Sequence, residues 1–366
     1  MKEITKISLL LILFLVGCGN ESTSSVQTLV EVNTTLNPNA DKEPYFKYTW
    51  HLNAANTELN TKGFVINEYA DINISSAWTK TQGAGVRIAI IDDSFDVEHE
   101  DLKENIYLTY NANDGSSNVK NTSTIDASHG NTCAGFAASP INGKGIIGSA
   151  PGAKLILIKE NVGLLGDIIK AFEYAKNNGA KVISCSWGTE SIDDALQTEL
   201  KAMYDAGITV LFASGNDKKD LDKPLVNDES ESPWVIGIGA SSESNDVTTY
   251  SNYGKEIDLL APGGENPGVL GLDDTGDLGS AYQFGLVSNN YAFGLGTSYS
   301  TPVAAGVVAL MYGIKPTLTP KEIRDILIET ADKVGDGSEN YISGFDTYRA
   351  FGKINASRAI EKLLSL

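Results

Sequence analysis

Hydrophobic and polar positions alternate along this chain in blocks. Short apolar, β-branched runs have the length and composition of buried strands: VRIAII at 86–91, KLILI at 154–158, KVISCS at 181–186, ITVLFA at 208–213 and WVIGIG at 234–239. Between them lie the amphipathic stretches DIIKAFEYAKNN, ahead of Gly179, and DDALQTELKAMYDA, ahead of Gly207. Each carries acids at its start and a glycine just past its end, which predicts a helix. Strands that alternate with helices predict an α/β fold with a mostly parallel sheet covered on both faces. Ligands of such sheets bind beyond the carboxyl ends of the strands. Further on, Thr319-Pro320-Lys321-Glu322 predicts a capping box at the head of a last helix. No internal repeat occurs, and no linker after about residue 45 divides the chain.

The N-terminal pattern is of another kind. Lys2 and Lys6 precede the apolar run ISLLLILFLVG, which is too short for a comfortable membrane span but suits the core of a signal peptide. The run ends in Leu15-Val16-Gly17-Cys18, which resembles the bacterial lipoprotein box. That resemblance implies removal of residues 1–17 and lipidation of Cys18, so that the membrane is one partner of the chain. Gly19, standing where Asp would favour retention at the inner membrane, implies the outer membrane of a Gram-negative host. Residues 18–43 are rich in Ser, Thr and Asn with few aromatics and cannot bury enough surface to offset their ordering entropy. They are read as a tether, and residues 44–366 as the folded domain.

Composition narrows the classes of function. With 366 residues, 42% of them hydrophobic, the chain can bury a full core, and its 36 glycines favour many tight turns. A formal net charge of −19 without any basic run argues against nucleic acid as a partner. The three cysteines, Cys18, Cys133 and Cys185, allow neither a disulfide framework nor a CxxC metal site.

Candidate chemistry gathers at strand ends. The seven residues GTSYSTP at 296–302 precede the apolar segment VAAGVVALMYGI and place Ser298 at the start of a buried helix. A hydroxyl there caps a helix or attacks a substrate, and the second role needs a base, an orienting acid and an oxyanion donor. Of the three histidines, His51 and His99 read as structural or surface residues, whereas His129 opens the apolar SHGNTCAGFAA. Asp92 ends the strand VRIAII and supplies a carboxylate that could hold an imidazole.

Taken together, the stretches IAIIDDS around Asp92, HGNTCAG from His129 and GTSYSTP around Ser298 resemble the three motifs of the subtilisin-like serine proteases, the subtilases. Their order, Asp then His then Ser, is that of subtilisin rather than of chymotrypsin or the α/β-hydrolases. SAPGAK, SWG, FASGN and SNYG lie between them, so the likeness extends from about Tyr45 toward the C-terminal helix. The resemblance implies a three-layer α/β/α fold and an endopeptidase acting on protein or peptide substrates through an acyl-enzyme. Ser298 would be the nucleophile, His129 the general base and acid, Asp92 the orienting carboxylate and Asn216 the side-chain oxyanion donor. Ser186, Trp187, Gly188, Ser214 and Gly215 would contact an extended substrate, partly as an added strand.

Other features depart from that pattern or extend it. Tyr299 stands where the family usually has Met, and Ser300, Asn131 and Val303 replace the usual Ala, Thr and His. Cys133 and Cys185 are read as buried free thiols, with a disulfide between them as the alternative. No cofactor is needed for the chemistry. Asp101 and Asn142 resemble calcium ligands of the family, the competing reading being a solvated loop. Asp217, Asp228, Glu229 and Glu231 suggest an acidic rim to the specificity pocket and a preference for basic or polar residues before the cleaved bond. Residues 264–295, with Asp273, Asp274 and Asp277, form either a substrate-facing loop or an ion site. The stretch before the domain is shorter than the folded prodomain common in the family. Folding is therefore unaided or assisted by a separate chaperone or inhibitor protein.

Overall fold

The computed structural model describes residues 40–121, 129–160, 164–189, 191–223, 227–276, 285–337 and 339–366. Cys18, the signal segment, most of the tether and Asp277 lie outside the described residues. Within them, the apolar runs form strands β1 (Arg87–Asp92), β3 (Lys154–Lys159), β4 (Val182–Cys185), β5 (Thr209–Ala213) and β6 (Ile236–Ser241). Two more strands complete the sheet, β2 (Ile106–Asn111) and β7 (Leu259–Pro262), in the order β2-β3-β1-β4-β5-β6-β7. Every neighbouring pair in it is parallel. β2 escaped the sequence pattern because it is an edge strand, half-exposed along most of its length, and carries Tyr, Thr and Asn among its apolar residues.

Period-two alternation splits each central strand between two cores. Ile88, Ile90, Leu155 and Leu157 face one cluster, and Ala89, Ile91, Ile156 and Ile158 face the other. The first cluster includes α3 (His129–Ala138) and the long α6 (Thr297–Ile314), whose residues from Thr301 to Tyr312 are all buried. The second is covered by α4 (Leu165–Asn177) and α5 (Asp194–Asp205), the two helices predicted by the glycine stops. Helices on both faces of a parallel sheet give the three-layer α/β/α architecture.

Two short helices, α1 (Trp50–Asn53) and α2 (Ser75–Trp78), lead into the domain. At its other end the predicted capping box is present: Thr319 accepts from the Glu322 amide, and Glu322 reaches back to cap Thr319, starting α7 (Pro320–Thr330). That helix is followed by α8 (Ala356–Leu364), capped by Asn355, so it is not the last one.

The N-terminal boundary also moves. Ala40–Lys42 is a 3-10 turn with Ala40 buried, and the Glu43 carboxylate accepts the amides of Gly143, at 2.8 Å, and Lys144, at 3.0 Å. The folded domain therefore begins no later than Ala40, ahead of the boundary at 44 that composition suggested. A charged residue in a polar segment looks solvated until its backbone partners, one hundred positions away, are known.

Within 264–295, β8 (Val269–Leu272) and β9 (Tyr291–Gly294) pair as an antiparallel hairpin. It rests on α3 through Thr132, whose hydroxyl donates to Leu272 O at 2.6 Å, and on α1 through the Trp50 indole, which donates to Gly268 O at 2.6 Å. Its far end meets Tyr45, edge-on to Tyr291.

Candidate active site

Strand register brings the site together. Asp92 is the last residue of β1, an interior strand, opposite Lys159 of β3, while Cys185 and Phe212 carry β4 and β5 to the same edge. The chain leaving β1 must then pass close to the start of α3. Gly130 makes that approach feasible, since a Cβ there would lie 2.7 Å from Ser94 O and 2.8 Å from the Asp92 Cβ. His129 is thereby held with Nδ1 2.8 Å from Asp92 Oδ1. The carboxylate is almost wholly buried, the imidazole about one-third exposed.

The Asp92 charge raises the His129 pKa well above 6.5, against the opposing effect of burial. Nδ1–H donates to the carboxylate, which leaves Nε2 as the acceptor in the neutral ring. Asp93, one residue on, accepts the Gly130 amide at 3.1 Å and so places a second carboxylate at the head of α3. Burial and the neighbouring Asp92 raise its pKa. The sequence shows the doubled Asp92-Asp93, but not that Asp93 would accept the amide at the head of α3.

Ser298 is the second residue of α6. Its hydroxyl donates to Ser186 O at 3.2 Å, a resting rotamer from which rotation about χ1 is needed to engage an imidazole. The backbone around it is pinned in an unusual way. Pro302 lacks the N–H that would normally bond the carbonyl four residues back, and that carbonyl is Ser298 O. It accepts instead from the Ser186 hydroxyl at 2.7 Å and the Cys133 thiol at 3.5 Å. The helix thus ties the serine to both β4 and α3.

Asn216 sits just beyond β5 and is exposed. Its Oδ1 accepts from the Thr297 amide at 2.9 Å and from the Thr297 hydroxyl at 3.0 Å. With the carbonyl so engaged, the Nδ2 donors are the part of the amide left for other partners. The Ser298 amide, in the first turn of α6, has no intrahelical acceptor and carries the positive end of the helix dipole. Asn216 is thus tied by Thr297 to the same first turn of α6 that carries Ser298. Thr297 is a positioning residue that the sequence motif contains but does not single out.

Next to the serine, Ser186, Trp187, Gly188, Gly215, Asn216, Asp217 and Asp228 line a cavity of about 280 Å³. Ser214, grouped with them in the sequence reading, does not reach it: the side chain is buried and donates to Asn252 O at 3.2 Å, behind the wall. Glu229 also turns away, its carboxylate accepting the Thr189 amide and hydroxyl. Glu231 caps the Asp228 amide at 3.1 Å. Of the four acids read as a rim, Asp217 and Asp228 line the cavity.

Tyr299 packs inward, its ring 6.0 Å from that of His129 and 5.2 Å from that of Phe136. Room for it comes from Gly294 of β9, where a Cβ would lie 2.5 Å from Tyr299 Cε2. The larger residue after the serine is thus matched by a smaller one across from it. Cys133 and Cys185 are both free and buried, as the residues suggested. Burial pushes the Cys133 thiol up to about 11, so it stays protonated beside His129.

Comparison with known proteins agrees with this geometry. A model of the subtilase family, peptidase S8, matches residues 83–345. The chain belongs to the subtilase family. Among its relatives, a calcium-dependent protease of a Nostoc species is 32% identical over 355 residues, covering 87% of this chain and 52% of that one. A protease from Pseudoalteromonas arctica has a similar structure, with a TM-score of 0.73 and 26% identity over 88% of this chain and 99% of the other. The Aeromonas sobria serine protease, solved in complex with its chaperone, shares the fold with a TM-score of 0.73 at 21% identity, over 89% of this chain and 67% of that one. The chain spans about half the length of the curated relatives it matches.

Away from the cleft, the side chains of Asp101 and Asn142 are neighbours. Asp101 is fully buried; Oδ2 accepts the Ile146 amide at 2.8 Å, while Oδ1 and the Asn142 Oδ1 are buried without a hydrogen-bond partner. Burial pushes Asp101 up to about 8, and the negative charges of Glu43 and Glu100 add to the effect. His51 and His99 are buried, which settles them as structural residues rather than surface ones.

The Asp92–His129 pair predicts a titration. The carboxylate favours the imidazolium, so the ring keeps its proton to higher pH than 6.5. Asp92→Asn removes that hold while burial still favours the neutral ring, so the His129 pKa falls in the variant. An NMR pH titration of the imidazole carbon-bound protons reads this directly; an unchanged midpoint would assign the shift to another cause.

Proposed function

We propose that this chain is a serine endopeptidase that hydrolyses protein substrates through an acyl-enzyme on Ser298. The observation that carries the reading is a carboxylate-paired histidine, a helix-start serine and an asparagine anchored to that helix start, gathered where β1, β4 and β5 end. In this mechanism the Ser298 hydroxyl rotates from Ser186 O toward His129 Nε2 and gives up its proton as Oγ attacks the scissile carbonyl. Asp92 holds the ring tautomer and stabilises the imidazolium that results. Asn216 Nδ2 and the Ser298 amide stabilise the tetrahedral oxyanion. His129 then delivers the proton to the leaving amine, and water attacks the acyl-enzyme by the reverse route. Ser186, Trp187, Gly188 and Gly215 border the substrate, with the exposed backbone beyond β4 open to an added strand.

Cleavage of casein by the full-length chain tests this. Ser298→Ala abolishes turnover, and Asn216→Ala, which removes one oxyanion donor, lowers kcat by about 10²–10³-fold. Equal turnover by Ser298→Ala would refute the assignment.

Calcium belongs to the same proposal as a structural ion. Buried carboxylate and amide oxygens with unused acceptor capacity suit a hard cation: Asp101 Oδ1 and Asn142 Oδ1, beside the Glu43 carboxylate. The tension of a buried Asp101 with a raised pKa is what such a cation would relieve. Chelation with EGTA is expected to lower Tm by about 5 °C, reversibly on adding calcium, if the ion is normally present at about one hundred times its Kd. Asp101→Asn abolishes the calcium response, and a Tm indifferent to EGTA would refute the site.

The cellular setting is proposed on sequence grounds: lipidation of Cys18 and residence at the outer membrane of a Gram-negative cell. Cys18→Ser is then expected to move the protein from the membrane to the soluble fraction. A separate chaperone or inhibitor, of the kind found with the Aeromonas sobria enzyme, fits the same reading.

A further inference from the structure

Two carboxylates in the cavity beside Ser298 need an explanation. Asp217 is exposed at its mouth, and Asp228 is set in its wall, only 8% exposed. Asp228 is fixed rather than mobile: Oδ1 accepts from the Ser230 amide at 2.9 Å and the Ser230 hydroxyl at 2.6 Å. Its other oxygen is turned toward the strand beyond β4, where a Cβ on Gly188 would lie 2.8 Å from Oδ2. That glycine keeps the carboxylate open to whatever lies along the strand. Behind it, Glu229 is fully buried and adds negative potential. Among the described lining residues the one cation is Lys219, only partly buried, which acts on Asp228 through its charge.

An apolar side chain seated here would cover these carboxylates without pairing them, a desolvation with no return. A lysine or arginine side chain would instead place its apolar stem against Trp187 and its charge against Asp228, and an arginine could engage a carboxylate with two parallel hydrogen bonds. Lys219, on a flexible stem, can withdraw to solvent as the substrate cation takes over its role.

We propose that Asp228 is a specificity-determining residue, and that the enzyme cleaves after lysine and arginine. The inference rests on the serine endopeptidase reading and gives it a substrate class.

The test uses the full-length chain and a set of peptide p-nitroanilides that differ only in the residue before the scissile bond: Arg, Lys, Leu, Phe and Glu. The wild type is expected to favour Arg and Lys over Leu and Phe in kcat/KM by more than tenfold. Asp228→Asn, which retains a capping side chain for Ser230, is expected to reduce the Arg-to-Leu ratio by about 10- to 100-fold, the range of a hydrogen bond to a charged partner. Lys219→Ala is expected to raise that ratio. Preference for Leu, Phe or Glu in the wild type overturns the proposal, as does an Asp228→Asn variant that loses all substrates equally. Labelling of Ser298 by a fluorophosphonate separates the two levels. A labelled enzyme that ignores Arg and Lys peptides overturns the specificity alone, whereas an unlabelled and inactive one overturns the endopeptidase reading beneath it.

Discussion

The contact between Asp92 and His129 is the constraint around which the rest of the site is arranged. It joins the end of an interior strand, β1, to the start of the helix that packs over it, between residues 37 positions apart in sequence. A buried carboxylate is costly unless paired, and this one has a second oxygen without a partner. The fold accepts that cost at the place where a raised imidazole pKa is useful. Gly130, by allowing the backbones to meet, and Asp93, by steadying the head of α3, both serve that single contact.

The long helix α6 solves the complementary problem of holding a serine still while leaving its hydroxyl free to turn. Pro302 opens a gap in the helical ladder, and Ser186 and Cys133 fill it from neighbouring elements. The serine backbone is thus bound from three sides, while its Oγ retains only a single bond at 3.2 Å. In the proposed mechanism, donors already held in place around a serine free to turn would cost no reorganisation at the moment of reaction.

Much of this was legible in the sequence. The five predicted strands announce themselves as apolar runs because burial on both faces leaves few polar positions in their interiors. The motifs around Asp92, His129 and Ser298 could be read because each stands at the end or start of a regular element. Glu43, Asp93 and Thr297 could not be read in that way. Their roles are backbone contacts to residues distant in sequence, and a carboxylate or hydroxyl carries no sign of which amide it will accept. Ser214 runs the other way: it adjoins the cleft in sequence, but just past β5 its side chain is buried and donates to Asn252 O. Residues 264–295 were ambiguous because the hairpin's strands are four residues each, too short for a clear period.

That hairpin fastens three parts of the molecule that would otherwise part separately. Thr132 of α3 holds one strand, Tyr291 donates to Glu100 at 3.2 Å beside the Asp101 loop, and Ser288 donates to Tyr45 near the start of the domain at 3.2 Å. Peeling away the N-terminal segment and fraying the loop around Asp101 therefore become one cooperative event rather than two independent ones. On the proposed endopeptidase reading, such joint openings would be the occasions for self-digestion by other copies. Coupling them makes each rarer, and autolysis becomes a question of how firmly this one hairpin is seated.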